Sequence, residues 1–161
     1  MIKNLNYVTY QTFPAQTANS LQTISNLKYL IKNGVKVNLY FPLREKQSSA
    51  DIKSLQDFYK FTETFNSFGV KHPYPHGKIK FIQKLWFHTS HILWSKKLIK
   101  TSFKNDRDSY FFTRSDWIAY FLANQGSKVI FECHQTSKVR NFVIKKIGML
   151  ENVKFIFLNE N

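Results

Sequence analysis

Arg114, Glu132 and His134 carry the side chains best suited to chemistry in this chain. The segment Val129-Ile130-Phe131-Glu132-Cys133 is almost uniformly apolar, as a buried parallel strand should be, yet it holds a carboxylate. Alternation along a strand puts Ile130, Glu132 and His134 on one face, with Phe131 and Cys133 on the other. An ionised carboxylate at that depth is costly unless paired. Arg114 directly follows the strand-like segment Tyr110-Phe111-Phe112-Thr113 and is the natural partner. Glu132 then serves either a structural ion pair or a binding site. His134 stands where a catalytic or sugar-binding side chain would stand, and equally where a polar loop residue would. A second polar group, Thr17, Asn19 and Ser20, opens a helix after the first strand and can hydrogen-bond a sugar or a phosphate, unless one of the three only caps the helix. The remaining candidates are weaker. His88 and His91 lie one helical turn apart without a HExxH pattern, so no metal is expected. His72 and His76 flank prolines and read as loop surface, and Cys133 reads as inert packing. No Gly-x-Ser-x-Gly elbow, GxGxxG turn or P-loop is present.

The elements that must position these residues follow strand–helix–strand grammar. Asn6 to Tyr10 reads as a strand. Leu21, Ile24, Leu27, Leu30 and Ile31 recur at helical spacing up to Gly34, and Val35, Val37, Leu39 and Phe41 alternate as a second strand. A strand–helix–strand unit of this size makes the sheet parallel. The middle is less regular: a short helix over 51–61, a turn over 72–77, and a long helix over 78–104 that holds seven lysines and no acid. The last third repeats the grammar with a strand over 110–113, a helix begun by Ser115 and Asp116 and closed by Gly126, a strand over 129–133, a helix over 139–150 and a strand over 153–158. The expected fold is α/β: a Rossmann-like, doubly wound, mainly parallel sheet flanked by helices, with 1–161 as a single domain. Ligands of such sheets bind beyond the carboxyl ends of the strands, where Arg114, His134 and the Thr17 loop fall.

At 161 residues, 43% hydrophobic and 17% aromatic, the chain can bury a real core. One cysteine excludes an internal disulfide framework, no run of 18 apolar residues is present, and the first residues lack the apolar stretch of a signal peptide, so a cytoplasmic domain is expected. The net charge of +14 comes from 20 lysines and only four arginines. With few arginine forks and no nucleic-acid motif, codon composition explains this excess better than nucleic-acid binding does. An autonomous basic module for nucleic acid or an anionic surface remains the alternative function. On the 78–104 helix, Ile82, Leu85, Trp86, Ile92, Leu93 and Ile99 form one stripe, with Lys80, Lys84 and Lys97 elsewhere. That pattern fits either packing on the sheet or contact with an anionic membrane at the inner face.

Two blocks resemble the amino-terminal half of a family 4 glycosyltransferase. The first runs Phe13-Pro14-Ala15-Gln16-Thr17-Ala18-Asn19-Ser20-Leu21-Gln22-Thr23, a helix, Gly34, then Val35-Lys36-Val37-Asn38-Leu39-Tyr40 and Pro42, similar to the family's A-N-S-x-Q and G-x-x-V-x-L. The second, Thr113-Arg114-Ser115, Ala119, Gly126 and Val129-Ile130-Phe131-Glu132-Cys133-His134, resembles R-S … G-x-x-V-x-[FY]-E-x-H. Thr17-Ala18 stands where the family often has Gly-Gly. The resemblance implies a retaining glycosyltransferase of the B-type fold, of which this would be the acceptor-side domain, truncated before the second domain. It implies no cofactor on this domain, with the nucleotide-sugar donor on the missing one. The implied partners are a glycan or lipid-linked acceptor and that second domain. By the match, His134 falls near the transferred sugar and is the expected catalytic residue, with Arg114 and Glu132 shaping that site; Thr17, Asn19, Ser20, Arg114, Glu132 and Gln135 are the expected substrate-binding residues.

Overall fold

In the computed structural model the described residues, 2–72, 83–134 and 136–157, build a six-stranded sheet and five helices. In chain order the elements are β1 (Asn4–Val8), α1 (Ala18–Lys32), β2 (Lys36–Leu43), α2 (Ile52–Tyr59), β3 (Asn66–Lys71), α3 (Gln83–Ser102), β4 (Tyr110–Thr113), α4 (Asp116–Asn124), β5 (Lys128–Cys133), α5 (Lys138–Ile147) and β6 (Val153–Phe157). Strand order is β3-β2-β1-β4-β5-β6, and every pair is parallel. This is the Rossmann-like, doubly wound arrangement, and the order reverses between β1 and β4.

The two faces of the sheet carry separate cores. On one, Ile24 and Leu27 of α1 and Leu55 of α2 pack on Tyr7, Val37, Leu39 and Phe41. On the other, Trp94 and Leu98 of α3, Ile118 and Leu122 of α4, and Val143 and Ile147 of α5 pack on Val8, Phe111, Val129 and Phe131. Right-handed crossovers dictate this split: the chain winds outward from β1 on one face, returns, and winds outward from β4 on the other.

Several boundaries differ from expectation for local reasons. β1 ends at Val8, because the Tyr10 amide leaves the ladder to donate to Ser115 Oγ (3.2 Å). Leu21 of α1 is exposed, and the buried face is Ser20, Thr23, Ile24 and Leu27. Thr23 tolerates this because its hydroxyl donates to the Asn19 carbonyl (2.9 Å). Asp51 caps α2 by accepting from the Ser54 amide (2.8 Å), and the left-handed Lys60 ends it before Phe61. β3 escaped the sequence reading, since Asn66-Ser67-Phe68-Gly69 has little strand propensity and lies at the sheet edge. In α3, Trp94, Leu98 and Ile99 are core, so the expected single stripe divides: Ile99 packs inward while Leu85, Trp86 and Leu93 face out. Ile82, Lys80 and His76 lie outside the described residues.

Gly34 follows α1 at φ 79°, and its amide donates to the Ile31 carbonyl (2.9 Å). A Cβ there would meet nothing within 4 Å, so only backbone strain opposes a side chain. Gly34→Ala should therefore cost about 1 kcal/mol in urea denaturation, and Gly34→Asn less, because asparagine tolerates the left-handed region. A loss for alanine well above this would mean that contact, not backbone conformation, selects glycine.

Candidate functional site

The strand-order reversal opens a cleft of about 380 Å³ at the carboxyl edge. Thr9 and Gln11 line it from the β1 end, Asn19 and Gln22 from α1, and Arg114 and Ser115 from the β4 end. His134 closes it after β5 and Arg140 reaches in from α5. Every one of these side chains is polar. A smaller lobe of about 210 Å³ continues from it, sharing Gln11, Asn19, Arg114 and Ser115 and adding Tyr10, Phe87, His88, His91 and Asp116.

Glu132 organises the cleft floor. Its side chain is only 8% exposed, and Oε1 meets both His134 Nε2, in a short hydrogen bond, and Arg114 Nε at 3.7 Å. Strand alternation and the end of the apolar run bring these three together. Tyr7, on the same face of the sheet, feels the pair: burial pushes its phenol up, while the Arg114 charge pulls it back in part. Beside them Arg140 donates through Nε to Asp116 Oδ1 (2.7 Å) and through Nη2 to the Arg114 carbonyl (3.1 Å), tying the start of α5 to the end of β4.

The other expected residues take different places. Asn19 lines the cleft. Thr17 is the α1 N-cap, accepting from the Ser20 amide (3.2 Å), and the Thr17 and Ser20 hydroxyls bond each other. Ser115 precedes α4 without capping it through its side chain; its Oγ takes the Tyr10 amide instead. Gln135 lies outside the described residues. Cys133 is buried, and burial pushes its thiol up to about 11, consistent with packing.

His72 corrects the surface reading. It is buried, with Nε2 2.7 Å from the Tyr10 hydroxyl. The Tyr10 ring stacks on His91 at 4.0 Å and 9°, Arg44 lies 4.8 Å from its centroid, and burial pushes the phenol up to about 12. Thr9, Gln11, Gln22 and Arg140 were not foreseen as cleft residues. The usable signal for Arg140 was its scarcity: four arginines in the whole chain, two of them at this cleft. Among the described residues, no group of three or more His, Cys, Asp or Glu side chains can hold a metal ion.

No protein-family profile, curated protein or solved structure matches this chain.

The Arg114–Glu132 pair yields a direct test. Arg114→Met or Glu132→Gln alone should each cost on the order of 3 kcal/mol, because the surviving polar group stays buried. The double variant should lose less than the sum. Urea denaturation of the four proteins measures this, and strictly additive losses would show that the two groups do not interact.

Proposed function

We propose that this chain is the acceptor-side domain of a retaining, nucleotide-sugar-dependent glycosyltransferase, with a glycan or lipid-linked sugar as acceptor. The observation that carries the reading is the wholly polar cleft at the strand-order reversal, with His134 held at its floor by Glu132. A sugar presents hydroxyls on every side, and this cleft offers amides, hydroxyls, guanidinium groups and an imidazole in return. An apolar slot for a nucleobase is not what these side chains make. The resemblance of the Arg114 to His134 block to family 4 glycosyltransferases supports the same assignment.

In this reading Glu132 fixes the ring orientation of His134 through Nε2, leaving Nδ1 as the atom that contacts the transferred sugar. Asn19 and Gln22 hold acceptor hydroxyls from the α1 side. The nucleotide-sugar is held by a second domain, which closes over the cleft and brings donor and acceptor together. The 161-residue chain should accordingly bind sugars in ligand-observed NMR yet transfer none from any nucleotide-sugar. His134→Ala should lower the melting temperature, because the buried Glu132 loses its closest partner, and His134→Gln less so; both should weaken sugar binding, the alanine variant roughly tenfold, the worth of one or two hydrogen bonds. Turnover by the chain alone overturns the two-domain division, and a sugar panel with no binder overturns the reading.

A specific observation favours membrane contact as well. On α3 the exposed residues Trp86 and Leu93 lead along the helix to Lys97 and Lys100, and Leu85, 70% exposed, stands beside Trp86. Among the described residues no helix is long and apolar enough to cross a membrane, so contact would be peripheral. Tryptophan and leucine suit the bilayer interface, and each lysine near an anionic leaflet contributes about 1 kcal/mol. Flotation should show binding that rises with anionic lipid, falls with salt, and drops when Lys97 and Lys100 become Gln or Trp86 becomes Ser. Indifference to anionic vesicles at low salt would assign the lysines to solvent alone.

A further inference from the structure

We infer that the cleft recognises an oxyanion, a phosphate or carboxylate group carried by its ligand, and that Arg114 is the group that takes it. The inference rests on the glycosyltransferase reading only in naming a sugar as the carrier. Its basis is an imbalance around one guanidinium.

The Arg114 side chain is 11% exposed, so its five N–H donors have little access to water. Among the described residues its side chain nevertheless makes no hydrogen bond. The Glu132 oxygen lies 3.7 Å from Nε, an ion-pair distance too long for a hydrogen bond, and Nη1 is buried with no hydrogen-bond partner among the described residues. Glu132 is engaged more closely by His134, which draws the carboxylate away from the guanidinium. Arg140 forms the contrast: its Nε bonds Asp116 at 2.7 Å, so that charge is answered inside the protein. Arg114 is thus a desolvated cation whose compensation is incomplete, at the wall of a cleft.

The surroundings select the sign and the geometry of what completes it. Among the described residues none of the side chains lining the main cleft is acidic, because Glu132 lies behind the floor and Asp116 turns to Arg140 and the side lobe. A neutral hydroxyl would supply one acceptor to a group that lacks several. An oxyanion supplies two or three acceptors and the missing charge, in the forked geometry that a guanidinium matches and an ammonium does not. His134 and Ser115 stand on the same wall and add donors to the same oxygens.

The test uses the whole chain at fixed ionic strength, titrated with inorganic phosphate, acetate, a hexose phosphate, a hexuronate and a neutral hexose. With four arginines in the chain, the guanidinium NMR signals can be assigned one by one. The anions should shift the Arg114 signal and leave Arg107, at the amino edge, unmoved. In calorimetry the hexose phosphate or hexuronate should bind more tightly than either inorganic phosphate or neutral hexose. Arg114→Lys should weaken the anions at least tenfold, while Arg107→Gln changes nothing. The NMR arm reads the wild-type protein, so the inference stays falsifiable if Arg114→Lys does not fold. Anions that leave the Arg114 signal in place, or bind Arg114→Lys and the wild type alike, overturn it. Neutral hexose binding with inert anions overturns it and leaves the glycosyltransferase reading standing. Anions that bind through Arg114 with no gain from the sugar support the oxyanion site and overturn the sugar reading instead.

Discussion

A carboxylate buried in an apolar strand is the constraint around which the carboxyl edge is arranged. Glu132 sits in β5 with Phe131 and Cys133 buried on the opposite face, and an ionised group there demands compensation. Compensation comes from the ends of two strands, Arg114 after β4 and His134 after β5 itself. Because β4 and β5 are parallel and in register from Tyr110↔Lys128 to Thr113↔Phe131, the residues just past those pairs must emerge side by side. Topology therefore delivers the cation and the imidazole to the carboxylate, and the same geometry delivers them to the mouth of the cleft. The folding requirement of Glu132 and the chemistry of the site are one arrangement.

The distribution of positive charge follows a division of labour between lysine and arginine. Lys96, Lys97 and Lys100 on α3, and Lys145 and Lys146 on α5, are exposed, where a strongly hydrated ammonium costs nothing. Arg44, Arg114 and Arg140 stand where a planar, less hydrated cation is partly buried, whereas Arg107 is exposed. Arg114 and Arg140 line the cleft, and Arg44, just past β2, donates to Thr12 Oγ1 through Nε and Nη2 at 3.0 and 2.8 Å and covers the Tyr10 ring. Three of the four arginines thus serve the carboxyl edge. The net charge taken alone suggests a polyanion partner. Its partition between residue types points instead to a solvated lysine coat around an arginine-built site.

How much of this was legible in the sequence depended on burial. β4, α4 and β5 could be read nearly to the residue, because a strand buried on both faces is an apolar run and Ser115 and Gly126 punctuate it. β3 could not, since an edge strand half open to water needs no such run and Gly69 lowers its propensity further. The Arg114–Glu132 pairing was legible because a charge in an apolar strand states a requirement that few residues can meet. His72 was not, because its partner Tyr10 lies 62 residues away and proline on its far side mimics a surface loop. Arg140 hid for a similar reason: three residues after a serine cap, it has the pattern of an ordinary solvated first turn.

The cleft also explains why α1 and α4 begin differently. At α1, the Thr17 side chain takes the Ser20 amide and the two hydroxyls bond each other, so the contribution of this helix to the cleft comes from Asn19 in the first turn and Gln22 in the next. At α4, the Ser115 side chain turns back to hold the Tyr10 amide, which anchors the end of β1 to the end of β4 across the order reversal. The bond carries the joining of β1 and β4, paired from Leu5↔Tyr110 to Tyr7↔Phe112, beyond their last register pair to the cleft mouth. Ser115 thus stabilises the seam at the cleft mouth in place of its helix cap, a substitution that costs local helix stability and keeps the cleft walls at a fixed separation. A site that binds by several polar contacts at once needs such rigidity, since a small change in the spacing of its walls would release all of those contacts together.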